Sequence, residues 1–443
     1  MKRIARSLAV VGVAALALTG CSGLGSQSSG SDQAAFDPNK KVTVTVWSGF
    51  TDRELKVFQS VLDKYHEKHP NVTIENVGSQ TDDKITQAIR GGNAPDVALS
   101  FSANNIGTFC GSGVFQDLGP MITRDDVDLN KIPKATLAYT QYQGKRCAMP
   151  LLADVFGLYY NKKMFAEAGI TAPPKTISEF TEDAKKLTKK AADGSIEVAG
   201  FVPTPGFYAN KVEILAPQWG AQWLNKDDKS QLATDENWSA MLNWQKSLTD
   251  FYGNDALTRF TSEAGQQYSA DHIFQTGKLA MMLDGEYRTA FIADQAPDLD
   301  YATAPFPVAD EHPELYGTGY TTGNIVGIPK GAKNTAAAWD LIKFLSTDKD
   351  ALVLFANGLG NVPTSTDALD SPDLKLPAQF KTFLDMYGEG KLQTNPSTAN
   401  GGAYRKVAQD FATAYVAGSQ TDLAKGLAGV DKQIDDSAAL GAK

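Results

Sequence analysis

Valine alternates with polar residues at Val42, Val44 and Val46, the period of two expected of a half-buried strand, and Trp47-Ser48-Gly49 closes the run. From Leu55 the period lengthens. Leu55, Phe58, Leu62 and Tyr65 fall three or four apart, which predicts a helix running until Pro70. A second strand is predicted over Val72 to Val77, a helix over about Asp82 to Arg90 and a third strand over Asp96 to Ser100. Strands alternating with helices in this way imply α/β architecture, with a mainly parallel sheet covered by helices on both faces. The pattern resumes with a strand around Val155 to Tyr160, then helices near Ile177 to Ala191, Val212 to Leu224 and Glu236 to Tyr252. Lys278 to Leu283 and Ile325 to Pro329 read as further strands. The helix expected over Thr335 to Leu345 has Trp339, Ile342 and Phe344 or Leu345 on its apolar face. The last third is expected to be largely helical, and no internal repeat is present.

The first 20 residues break the pattern. Lys2, Arg3 and Arg6 precede an apolar run from Leu8 to Leu18, too short for the ~20 residues a helix needs to span a bilayer, as in a cleaved export signal. Leu18-Thr19-Gly20-Cys21 resembles the bacterial lipobox, in which the cysteine is acylated on sulfur and becomes the mature N-terminus. Residues 21–40 then read as a lipidated tether, because Ser22 to Asp37 is rich in Ser, Gly and Gln and has too little apolar surface to fold. No second long apolar run follows Cys21, so membrane attachment is expected through lipid alone, at ~0.8 kcal/mol per buried CH₂. Loss of Lys2, Arg3 and Arg6 takes the formal charge from −9 to −12, and an acidic exported chain is a poor partner for nucleic acid. The remaining length predicts two large domains or one bilobed domain. Cys110 and Cys147 are left in a compartment that oxidises thiols and are expected to pair, the alternative being two buried free thiols.

Catalytic signatures are sparse. There is no phosphate loop, and Gly317 to Gly323 has its glycines out of register for a dinucleotide fingerprint. No nucleophile elbow occurs, and His66, His69, His272 and His312 lie in no metal-protease spacing. Asp126-Val127-Asp128-Leu129-Asn130 starts like a calcium loop, but Lys131 and Leu137 stand where the glycine and the bidentate glutamate belong. No metal or cofactor is therefore expected. Acid pairs are abundant, and counting them leaves a glycosidase open.

Six segments in order resemble the extracellular solute-binding proteins of ABC carbohydrate importers, the maltose-binding-like group. They are Val44-Thr45-Val46-Trp47-Ser48, Ala94-Pro95-Asp96-Val97, Gly113-Val114-Phe115, Tyr159-Tyr160-Asn161-Lys162, Gly277 to Gly285, and Ile328-Pro329-Lys330-Gly331-Ala332-Lys333. The resemblance implies a two-lobed fold of the periplasmic-binding-protein type (class II), a sugar held between the lobes, and delivery to the permease subunits of an importer. It implies a monomeric, lipid-anchored receptor on the extracellular face of the bacterial cell membrane, and no enzyme. One lobe is expected over 41–153 plus 305–350, the other over 154–304 plus 351–443.

Sugars present C–H faces to aromatic rings and hydroxyls to carboxylates and amides. In parallel α/β sheets the crevice opens at the carboxyl ends of strands, which singles out Trp47, Asp52, Phe101, Asn104 and Asn105. The resemblance adds Asp154 as a polar contact near the first crossover, and Tyr287 and Tyr404 as rings with Arg405 beside the latter. It also places Tyr208, Trp219, Glu286, Tyr320 and Thr322 in cleft-lining regions. Core packing is the competing reading for Trp219 and Phe101, and helical spacing assigns Trp223, Trp238 and Trp244 to the core. Phe101 and Tyr404 stand where better-known relatives carry tryptophan and Asn104 replaces an acid, which points away from simple maltose. The other readings of the chain are a cell-surface glycosidase or glycan-attachment lipoprotein, or a receptor for a non-sugar polar solute such as glycerol phosphate.

Overall fold

The computed structural model describes residues 35–441, so the signal and the lipidation residue Cys21 lie outside the described residues. Strand Val42–Trp47 lies parallel to Val72–Val77 along its whole length, from Val42 opposite Val72 to Trp47 opposite Val77. Val97–Ser100 joins its other side in parallel, with Val46 opposite Val97. Because three parallel strands finish together, the loops after Trp47, Val77 and Ser100 emerge at one edge.

The alternating valines work as the pattern implies: Val44 and Val46 are fully buried. Helix Asp52–Lys68 buries Phe58, Val61, Leu62 and Tyr65, spaced to form one stripe. That stripe meets Phe355 from helix Lys349–Leu359, whose ring stacks on Phe58 at 5.5 Å.

The remaining pairings make the sheet mixed. Strand Met149–Asn161 is 13 residues long, more than twice the predicted stretch. Its first half pairs antiparallel with Thr321–Gly327, and its second half with Met281–Gly285 and Tyr301–Ala304. Val362–Pro363 adds to it at Ala153 and Leu152. Within the eight-stranded sheet, parallel pairing is thus confined to the first three strands. The eight-stranded sheet is held together by one strand that changes partners between Val155 and Phe156. Its upstream half escapes a pattern reading because Met149 to Ala153 is apolar without alternation and contains Pro150, a residue usually confined to sheet edges or bulges.

Two main apolar cores lie on either side of that change of partner. One contains Val44, Phe58, Leu152, Trp339, Ile342 and Phe355; the other contains Val155, Phe180, Phe201, Trp238, Phe306 and Tyr404. Phe306, Ala309 and Tyr320 belong to the second core, and Ala351, Phe355, Ala356 and Leu359 to the first. The expected segments 305–350 and 351–443 therefore each send residues across the division. A smaller cluster of Ile85, Ile106, Phe109, Phe115 and Tyr139 carries Trp47 at its border. It includes the disulfide Cys110–Cys147, whose Cα atoms are 5.6 Å apart. The last third ends in the packed helices Tyr404–Val416 and Leu423–Gly441. No described helix is long and apolar enough to cross a membrane.

Candidate functional site

Asn104 is the hinge of the geometry. It follows the third parallel strand in a short 3₁₀ turn, Ala103–Asn105, and its Oδ1 accepts from Asn395 Nδ2 at 3.3 Å. Asn395 belongs to the other lobe, where backbone bonds of Gln393 to Gly319 and Thr321 hold this segment beside Tyr320. The same Nδ2 donates to the Tyr320 hydroxyl at 3.0 Å. Asn105 is fixed from behind. Asp82, at the first turn of helix Asp82–Arg90, accepts from Asn105 Nδ2 at 2.6 Å and from Ser100 Oγ at 2.8 Å, and its burial raises the carboxyl pKa.

Behind Tyr320 stands an ion pair, Arg405 Nη1 to Glu213 Oε1 at 3.3 Å, with Glu213 6 % exposed. Burial raises the Tyr320 hydroxyl pKa, and the Glu213 charge adds to the shift. Tyr404, expected as a ring open to the cleft, is 2 % exposed. Its hydroxyl donates to Pro396 O at 2.8 Å and its ring meets Trp223 edge-on at 4.7 Å, so it supports the site from within. Trp223, assigned to the core by spacing, lines with Glu213, Tyr320 and Asn395 a cavity of about 100 Å³.

A second polar group sits at the strand that joins the lobes. Asn361 Nδ2 donates to Asp154 Oδ1 at 2.9 Å and to Glu286 Oε1 at 2.8 Å, and Glu286 Oε2 accepts from Val155 N at 2.7 Å. Two carboxyls this close and this buried resist double ionisation. Burial pushes Asp154 up to about 6. Glu286 is raised well above its ordinary value, first by burial and then by the Asp154 charge. The two groups are continuous: Thr322 is the cross-strand partner of Asp154, and the Phe156 ring stands 6.3 Å from Tyr287 and 5.7 Å from Tyr320.

Not every expected residue joins them. Trp219 is 3 % exposed and packs on Trp244 at 5.0 Å, so it is a core residue. Tyr208 lies elsewhere in the second lobe, with its hydroxyl on Gly265 O and its ring stacked on buried His272 at 4.2 Å. Phe101 is 45 % exposed at the strand edge against Phe50, and Asp52 is exposed at the start of its helix with φ 44°. Glu213, Asn361 and Asp82 escaped the sequence reading. Glu213 had left a signal: a charge inside the apolar run Val212 to Ala216 calls for a buried partner. Among the described residues no group of three His, Cys, Asp or Glu side chains could hold a metal ion.

Two α/β lobes on a shared strand, with polar side chains from both meeting between them, define a solute-binding protein. The chain belongs to the bacterial extracellular solute-binding proteins, whose family pattern matches residues 51–352. It is similar to the maltotriose-binding protein of Pyrococcus abyssi, 25 % identical over 337 residues, covering 75 % of this chain and 68 % of that one. It is also similar to the diacetylchitobiose binding protein DasA of Streptomyces coelicolor, 28 % identical over 275 residues and covering 60 % of each. Among solved structures, CpMnBP1 with mannotriose bound superimposes with a TM-score of 0.76 at 26 % identity, covering 88 % of this chain and 99 % of that one. The sugar-binding protein MalE of Xanthomonas citri shares the fold, with a TM-score of 0.74 at 19 % identity, covering 90 % and 98 %.

Proposed function

We propose that this protein is a carbohydrate receptor that captures an oligosaccharide between its lobes and delivers it to the permease of an ABC importer. The observation that carries this reading is the meeting of Asn104 from one lobe with Asn395 and Tyr320 from the other, beside Glu213, Arg405 and the Trp223 ring. Amides, a carboxylate and a phenol can each exchange hydrogen bonds with hydroxyls, and the indole offers an apolar face. Relatives named for maltotriose, diacetylchitobiose and mannotriose support an oligosaccharide as the ligand.

Closure of the lobes is a population shift driven by contacts that exist only in the closed form. The lobes are taken as 41–153 plus 305–350 and 154–304 plus 351–443, with residues 306–320 packing on the second lobe and 351–359 on the first. The mature receptor is a monomer held at the outer face of the membrane through acylated Cys21, with residues 22–40 as its leash. Titration with mono- and oligosaccharides, followed by intrinsic fluorescence, tests the reading. At least one oligosaccharide binds and changes the emission, and Trp47→Ala weakens that binding. A panel without a single binder, or a Trp47→Ala variant of unchanged affinity, sinks the receptor or the Trp47 assignment respectively.

A further inference from the structure

Among the residues gathered at the site, Arg405 is the cation, and its charge is matched from within its own lobe. Nη1 donates to Glu213 Oε1 at 3.3 Å, while the buried Nε has no hydrogen-bond partner. Glu213 stands in the first turn of helix Val212–Trp219, where the free backbone N–H groups favour an acid. Glu213 is the one charged residue in the polar lining of the 100 Å³ cavity, beside Tyr320, Gln393 and Asn395, and Pro217, Trp223 and Leu224 form an apolar wall. At the ~10–15 Å³ that one water needs, such a space holds several waters. The polar end of a sugar, with its substituent, fits it.

We infer that Glu213 makes this site selective for uncharged sugar ends. The inference rests on the carbohydrate reading above and adds to it the class of group that the cavity takes. By neutralising Arg405, Glu213 leaves a pocket suited to a short neutral substituent, a hydroxymethyl or acetamido group. The O–H or N–H of that group donates to the carboxylate, and its carbon rests on the Trp223 side. A carboxylate at the same position meets Glu213 as a like charge, and can reach Arg405 only by displacing it. Without Glu213 the same guanidinium, with its free Nε–H, becomes an anion site.

Calorimetric titration with mannotriose, maltotriose and diacetylchitobiose, and with the two trisaccharides oxidised at C6 to uronates, separates this inference from the receptor reading. Binding of the neutral sugars reports on the receptor; the ratio of neutral to oxidised affinity reports on Glu213. The wild-type ratio is expected to favour the neutral sugar by on the order of tenfold or more. Glu213→Gln, which keeps shape and removes charge, collapses that ratio through a gain in uronate affinity. Glu213→Asp keeps the ratio, and Arg405→Gln, which leaves the carboxylate unopposed, raises it. Tighter binding of diacetylchitobiose identifies the acetamido group, tighter binding of a trisaccharide the hydroxymethyl, and either agrees with the inference. A wild type that takes uronates as well as neutral sugars, or a ratio that both Glu213→Gln and Arg405→Gln leave unchanged, overturns it. A gain in uronate affinity cannot come from a misfolded variant, because loss of structure weakens every ligand together.

Discussion

Gly107 is a point of close backbone approach between the two lobes, and substituting it tests closure without touching a polar side chain. It lies in helix Ile106–Gly111, and a Cβ built on it stands 2.0 Å from Thr398 O and 2.5 Å from Thr398 C. Real Cβ atoms essentially never approach below 3.0 Å, so the segment around Thr398 must retreat by about 1 Å in Gly107→Ala. Two interlobe hydrogen bonds sit on either side of that contact: Thr108 Oγ1 to Ala399 O at 3.0 Å, and Asn395 Nδ2 to Asn104 Oδ1 at 3.3 Å. A retreat of that size takes both beyond hydrogen-bonding range. At ~1 kcal/mol each, the closed form loses about 2 kcal/mol, which weakens ligand binding about 30-fold if closure and binding are coupled. The fold itself should not suffer, because Ala is better than Gly within a helix by ~1 kcal/mol. Sugar affinity by calorimetry, thermal unfolding without sugar, and the small-angle scattering radius of gyration are the measurements. Affinity within twofold of wild type would refute the argument that this contact holds the closed state. So would an affinity loss matched by an equal loss of unliganded stability.

Three further outcomes are expected. The raised carboxyl pKa of Asp154, about 6 against 3.8, means that stability is fully present below pH ~4 and is lost as pH rises toward 6. The loss is on the order of 3 kcal/mol, read as the change in urea midpoint between pH 4 and 7; Glu286→Gln, which mimics the protonated partner, should reduce that change, and an identical pH dependence in the variant would count against a shared proton. Removing the Cys110–Cys147 bridge, which spans 37 residues, should cost about 4 kcal/mol on loop-entropy grounds. Urea unfolding of the Cys110→Ser, Cys147→Ser double variant checks that figure, and thiol titration of denatured wild type should find no free thiol at either position. Cys21→Ala should abolish acyl labelling and release the protein from the membrane fraction with sugar affinity unchanged; an affinity loss would mean that the anchor does more than tether.

Much of the fold was legible because its information is local. The alternation at Val42, Val44 and Val46 and the stripe Phe58, Leu62 and Tyr65 each describe one element against one core, and burial follows them. Strand ends followed by polar turns marked Asn104 and Asn105 for the same reason: the loops after parallel strands emerge together whatever the rest of the chain does. The antiparallel partners of Met149–Asn161 were not legible, since a largely apolar strand without alternation specifies burial and not direction.

The site divides along the same line. By itself the sequence determined many of the residues that could serve, through the family segments and the strand-end loops, while Glu213, Asn361 and Asp82 went unread. Which of them meet was decided by the tertiary structure alone. Asp154 and Asn361 are 207 residues apart, and Glu213 and Arg405 are 192 apart. No local periodicity encodes such a meeting, because it exists only once both cores have packed and the shared strand has brought two distant stretches within a hydrogen bond of each other. The same packing put both Trp219 and Trp223 in the second core, with Trp223 also bordering the cavity. The two rings lie four residues apart, and only the packing of the surrounding elements determines which one borders the cavity.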